Sequence, residues 1–147
     1  MFVETFIRTF FLLILMGTLN YKRGYNLELK TKKIMEESGY MVLRSPASKS
    51  YSDLIAFDKD HKFLVQCKKT GTKGKSLYIY KLNDLVKAAK KYGAKPLLVY
   101  SFYYSPIYAK EIRTDSEILK ADGKHIELEK LLKIGKMNEE FDDYIAR

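Results

Sequence analysis

The chain has 147 residues, 46% of them hydrophobic, with 12 Tyr and 8 Phe. That is the length of one domain with a real core, and the aromatic load excludes a disordered chain. A formal net charge of +9, from 27 Lys and Arg against 18 Asp and Glu, favours a polyanionic partner, nucleic acid ahead of an anionic membrane, over a merely lysine-rich solvated face. The single cysteine, Cys67, excludes an internal disulfide and a cysteine-rich zinc site and fits a reducing, cytoplasmic setting.

The N-terminal 20 residues read as an apolar extension. Phe10 to Met16 is an uninterrupted apolar run, too short for a membrane-spanning helix, which needs about 20 such residues. Only Arg8 is basic upstream and no Ala-x-Ala-like cleavage site follows. Three readings stay open: a true start at Met16 with a dispensable leader, a short helix packed on the domain or a partner, or a membrane or export signal.

Residues 21–134 are expected to form the working domain, with 135–147 as a helical appendage. Tyr21-Lys22-Arg23-Gly24 is a basic, flexible lead-in. Residues 25–38 read as a helix with Leu27, Ile34 and Met35 near one stripe, stopped by Gly39. A short strand at 40–44 and a loop at 45–50, broken by Pro46, follow. Two apolar runs, 54–57 and 63–65, flank a polar turn at 58–62 and read as a β-hairpin. Residues 70–76 hold two Gly and two Lys and read as mobile and basic. A brief extended piece at 77–80 precedes a helix at 82–92 ended by Gly93. Residues 95–102 read as a strand covered on both faces, because its centre is apolar throughout. Another strand is expected at 107–112, irregular chain at 114–124, a short helix or strand at 126–132, and an acidic helix at 138–146. The order gives an α/β sandwich with a mixed central sheet flanked by helices.

The hairpin carries the chemistry. Asp53 stands near the start of its first strand, and Gln66 and Lys68 near the end of its second. Antiparallel pairing puts those ends side by side, and residues two apart share a face. Two side-chain oxygens and an ammonium then converge, a seat for a divalent metal and a phosphate. Glu28, near the start of the helix at 25–38, adds a further acid that leans toward the same sheet edge; the plainer reading is a solvated first-turn acid.

Asp53 with Gln66-Cys67-Lys68 resembles the PD-(D/E)XK nuclease motif, with Ser52-Asp53 in place of Pro-Asp and Gln66 in place of the second acid. A wider pattern is more specific. Arg23-Gly24 before Glu28, Gly39-Tyr40-Met41-Val42-Leu43-Arg44-Ser45, then Ser48 and Asp53-Leu54-Ile55-Ala56, is similar to the archaeal Holliday-junction resolvases. Leu77-Tyr78, Tyr92-Gly93 and the strand from Pro96 to Tyr100 extend the likeness. The resemblance implies a restriction-endonuclease-like fold and a metal-dependent, homodimeric endonuclease that cuts four-way DNA junctions, with no small-molecule cofactor. It implies magnesium, with manganese as an alternative, on Glu28, Asp53 and Gln66, and Lys68 as the catalytic lysine. Ser48 falls in the loop whose serine is implicated in cleavage, and Arg44 where the family has a basic residue near the junction backbone. The chain departs from the family by Gln66 for Glu and by Leu29 where a basic residue often follows the helix acid.

Arg23, Arg44, Lys49, Lys69 and Lys73, with Lys22 and Lys75, are expected to gather at the same sheet edge and hold DNA by its phosphates. A two-fold dimer would set two sites on the two strands of a two-fold junction. Its interface is expected at the apolar strand face and Phe102-Tyr103-Tyr104, with ordinary core as the other reading. Two further functions stay open: a nucleic-acid-binding protein on an inactive nuclease scaffold, and an Mrr-like nuclease acting on duplex DNA.

Overall fold

The computed structural model describes residues 2–45 and 51–135; within the first helix, side chains are described for residues 4–12 and from 25 onward. The expectations for Ser48, Lys49 and the helix at 138–146 lie outside the described residues, as do those for the side chains of Lys22 and Arg23.

The chain opens with one helix, α1 (Phe2–Glu37), of 36 residues, about 54 Å long at 1.5 Å per residue. The flexible lead-in expected at 21–24 is instead part of this helix. One glycine inside a helix costs only about 1 kcal/mol relative to alanine, less than good helix-formers on both sides supply. The expected stop holds. Tyr40 N–H donates to the Met35 carbonyl (3.1 Å), Gly39 N–H donates to the Glu36 carbonyl (3.0 Å), and Gly39 has φ 95°. That is the paired-bond glycine cap, which needs a left-handed residue at this position.

Seven strands follow: β1 (Met41–Arg44), β2 (Leu54–Phe57), β3 (Lys62–Lys69), β4 (Leu77–Ile79), β5 (Lys95–Ser101), β6 (Tyr108–Glu111) and β7 (Glu117–Leu119), with α2 (Asn83–Lys91) between β4 and β5. Residues 128–135 are helical. The main sheet has the order β1-β2-β3-β5-β6, and β4 and β7 make a separate ribbon. Among the described residues only β3 and β5 pair in parallel; α2 lies in the long crossover that a parallel pair requires.

Each face of the sheet carries a core. On one side Leu27, Thr31 and Met35, one helical turn apart along α1, meet Val42, Leu54, Ala56, Val65, Leu97 and Val99, with Leu128 and Leu132 closing the end. On the other, Leu82 at the entry to α2, Leu85, Ala88 and Ala89 within it, and the ribbon's Ile79 and Leu119 cover Leu64, Leu98 and Tyr100. Residues 97–101 of β5 are thus buried on both faces, as its apolar run implies. A truncation such as Leu97→Ala there costs about 2–5 kcal/mol.

The hairpin's second strand runs past its apolar part to Lys69, because β5 pairs with it as far as Lys69↔Ser101 and satisfies its backbone. Two expectations need correction. Residues 114–124 are not irregular throughout: Glu117–Leu119 pairs with β4, Leu77 opposite Leu119. Three residues are too few to display an alternation. Phe102 belongs to the core at 5% exposure, so the aromatic run expected at a dimer interface is split, with Tyr103 and Tyr104 outside. Among the described residues no helix is long and apolar enough to cross a membrane.

Candidate active site

Asp53 is held by backbone on two sides. Its N–H donates to the Val65 carbonyl (2.8 Å), and its carbonyl accepts the Ser45 N–H (3.0 Å). The paired register ends at Leu54↔Val65, and Asp53 precedes it along the chain. The carboxylate turns to the second strand, where Oδ2 accepts the Cys67 N–H at 2.8 Å. Gln66 and Lys68 alternate with Cys67, so they share the face of Leu64. Gln66 is half-buried and Lys68 exposed. Asp53, Gln66 and Lys68 thus belong to the same end of the hairpin.

Glu28 comes from α1, on the opposite face of the sheet. Its Oε2 accepts the Arg44 Nε–H at 2.8 Å. The same guanidinium lies 4.4 Å from the centre of the Tyr25 ring, a cation–π contact. Arg44 is the cross-strand partner of Leu54, so Glu28 is anchored one residue from Asp53 along the hairpin. The ion pair ties the Arg44 guanidinium to the acid.

Cys67 sits in the middle of these groups. Burial pushes its thiol well above the ordinary range; the Thr31 hydrogen bond pulls it down, the Asp53 and Glu28 carboxylates push it further up and the Lys68 ammonium pulls it down. Both acids and the lysine thus lie within electrostatic reach of one sulfur, which stays a neutral packing group. Its Sγ–H points at Thr31 Oγ1 (3.8 Å), and the Thr31 hydroxyl donates to the Leu27 carbonyl (2.8 Å). Thr31 is wholly buried. Its role is visible in sequence only as the i+4 link between Leu27 and Met35, and the expected stripe omits it.

The basic residues do not all gather. Lys69 alternates to the α1 side and lines a cavity with Lys30, which charge counting alone did not single out. Lys73 and Lys75 are exposed in the loop after β3, where Gly74 has φ 71°.

The donor set suits a hard divalent cation. Among the described residues each carboxylate gives one oxygen to a protein donor, Asp53 Oδ2 and Glu28 Oε2. Asp53 Oδ1 and Glu28 Oε1 are oxygen donors on the hairpin and on α1, while the Gln66 side chain belongs to the other face of β3. Magnesium asks for one or two carboxylates and keeps several waters. Among the described residues no three of His, Cys, Asp and Glu form a metal-holding group.

A sequence model of the family described as "Archaeal holliday junction resolvase (hjc)" matches residues 19–140. The crossover junction endodeoxyribonuclease Hjc of Methanocaldococcus jannaschii is 30% identical over 115 residues, 77% of this chain and 80% of the relative. The solved structure of Archaeoglobus fulgidus Hjc, a Holliday junction resolvase from an archaeal hyperthermophile, superposes with a TM-score of 0.63 over 76% of this chain and 96% of that one. At 14% identity that last likeness speaks for the fold alone. The mixed five-stranded sheet with helices on both faces is the restriction-endonuclease-like fold, and the chain belongs to the archaeal Holliday-junction resolvase family of endonucleases.

Proposed function

We propose that the protein is a magnesium-dependent endodeoxyribonuclease that resolves four-way DNA junctions by phosphodiester hydrolysis, with manganese able to replace magnesium. The reading is supported by one arrangement: Asp53, pinned by the Cys67 N–H, adjoins the hairpin end that carries Gln66 and Lys68, while Arg44, the cross-strand partner of Leu54, holds Glu28.

A bound magnesium ion supplies Lewis acidity and a water of lowered pKa. The protein does the rest. Asp53 and Glu28 hold the ion by carboxylate oxygens, and Gln66 adds a neutral amide oxygen. Lys68 lies two residues beyond Gln66, where its ammonium meets the charge that builds on the phosphoryl oxygens as water adds and the ester bond breaks. By the family resemblance Ser48 takes part in cleavage. Arg23, Arg44, Lys49, Lys69 and Lys73 hold phosphates and fix register without reading sequence. A homodimer places two such sites, related by the two-fold axis, on two strands of the junction, and work on DNA fits an intracellular location.

Gln66 gives a second reading some support. With one anionic ligand fewer, metal binding weakens, and a protein that binds junctions without cutting them would carry this residue.

The test compares a four-way junction with a linear duplex of the same arms, in magnesium and in EDTA, with Asp53→Asn as control. Junction cleavage that needs magnesium and disappears in the variant supports resolution. Tight junction binding without cutting in either metal supports the second reading. Equal cutting of both substrates indicates a duplex nuclease instead.

A further inference from the structure

A second feature beside the hairpin shares only Lys69 with the residues just given a part in DNA binding and hydrolysis. It is a cavity of about 400 Å³ between the Asn26–Lys30 turn of α1 and the chain that leaves β5. Lys30 and Lys69 bring two ammonium groups to its lining, and Tyr103 and Tyr104 bring two rings. That volume lies at the low end for small-ligand sites, about 300–1,000 Å³. It suits one nucleotide and not a stacked duplex.

The two rings are presented by a built turn. Ser105 N–H donates to the Phe102 carbonyl (3.1 Å), closing a four-residue turn. The Phe102 N–H donates to Ser105 Oγ (2.7 Å), and Ser105 Oγ–H donates to the Pro106 carbonyl (2.8 Å). Ser101 Oγ lies 3.3 Å from Ser105 Oγ. Phe102 anchors the base of the turn in the core. Tyr104 then stands at φ 55° with 89% of its surface exposed, its ring centre 4.3 Å from that of Tyr103. A left-handed backbone is unfavourable for tyrosine, and glycine would suit the position better. A large ring held in water on a strained backbone contributes nothing to the fold.

We infer that Tyr104, backed by Tyr103 and flanked by Lys30 and Lys69, is a stacking platform for a single unpaired base at the branch point of the DNA. The inference rests on the proposed action on junctions and adds how a junction is told from a duplex. In a linear duplex every base face is covered by its neighbours. At a branch point a base can leave the stack and offer its face to a ring, while the two ammonium groups take the adjacent phosphates. Stacking of this kind tolerates any base.

The test measures binding in EDTA, so that cleavage plays no part, by fluorescence anisotropy of junction and matched duplex. Tyr104→Gly removes the ring and relieves the backbone, so its melting temperature should equal or exceed that of the unaltered protein. Junction affinity should fall about 5- to 150-fold, the range for losing one aromatic–base stack, while duplex affinity changes less than twofold. Tyr104→Phe should keep junction affinity. A 2-aminopurine at the branch point should be quenched by the unaltered protein and not by Tyr104→Gly.

Several results overturn the inference: unchanged junction affinity in Tyr104→Gly, an equal fall for junction and duplex, or a change of oligomeric state on sedimentation, which would put the ring between two copies of the chain. Unaltered protein that binds junctions selectively but does not cut them ends the cleavage reading and leaves the platform standing. Unaltered protein with no junction preference ends both.

Discussion

Asp53 has two roles that one pair of substitutions separates. Its Oδ2 accepts the Cys67 N–H at 2.8 Å, and its oxygens are the proposed metal ligands. Asp53→Ala removes both. A backbone N–H left without its acceptor inside a sheet costs about 1–3 kcal/mol, and half-exposure of Asp53 puts the expected loss near the lower half of that range. Asp53→Asn keeps an amide oxygen where Oδ2 stands, so the hydrogen bond survives without its charge and the loss should stay below about 1 kcal/mol. Urea unfolding followed by circular dichroism measures both values, and junction cleavage under single-turnover conditions measures function. Both variants should lose cleavage by at least about 100-fold, since the metal loses an anionic ligand in each. Equal destabilisation by Ala and Asn would refute the structural role given to Oδ2. Cleavage retained in Asn would refute the catalytic one.

Three further outcomes follow from the same geometry. Gln66→Glu restores a second acid at the hairpin end of Asp53, and the magnesium concentration for half-maximal cleavage should fall by about tenfold or more, read from a metal titration of the rate; an unchanged titration would put Gln66 outside the ligand set. Arg44→Ala breaks a half-exposed ion pair and a ring contact, so stability should drop by only about 0.5–1.5 kcal/mol. The dependence of junction binding on log salt should become shallower by about one if the guanidinium also meets a phosphate, and an identical slope would remove Arg44 from the DNA surface. Burial pushes the Tyr100 hydroxyl up to about 12, with Tyr108 and Glu117 pushing the same way. The folded state then holds its proton after the unfolded chain has lost it, so Tyr100 contributes stability below about pH 10 that fades between about 10 and 12. Its hydroxyl lies 2.8 Å from His125 Nδ1, whose Nε2 faces the Lys120 carbonyl at 2.7 Å. Nε2 therefore carries the proton and Nδ1 accepts from tyrosine. Alkaline absorbance titration of Tyr100→Phe should lose one late-ionising phenol; an unaltered late phase would contradict the assignment.

The sheet and its hairpin were legible because their signals are local. Apolar runs with a polar turn between them mark β2 and β3, and glycines mark both helix ends. Gly93, at φ 65°, caps α2 with the same pair of bonds that Gly39 makes on α1. The placement of Asp53, Gln66 and Lys68 at one end of the hairpin follows from strand position alone.

What escaped the sequence depends on distance along the chain. The Glu28–Arg44 pair joins residues 16 apart, and the Thr31–Cys67 contact joins residues 36 apart. Neither leaves a pattern in either segment. The Tyr103–Tyr104 turn was misread for another reason. Three aromatic residues in a row look like one surface, but the strand end buries Phe102 and the turn exposes the other two.

Manganese titration followed by electron paramagnetic resonance reads the proposed ligand set most directly. One ion per chain should bind to the unaltered protein, with affinity falling at least about tenfold in Asp53→Asn and in Glu28→Gln and rising in Gln66→Glu. Identical binding in all four proteins would mean that these side chains hold no metal, and the hydrolytic account would fall with it.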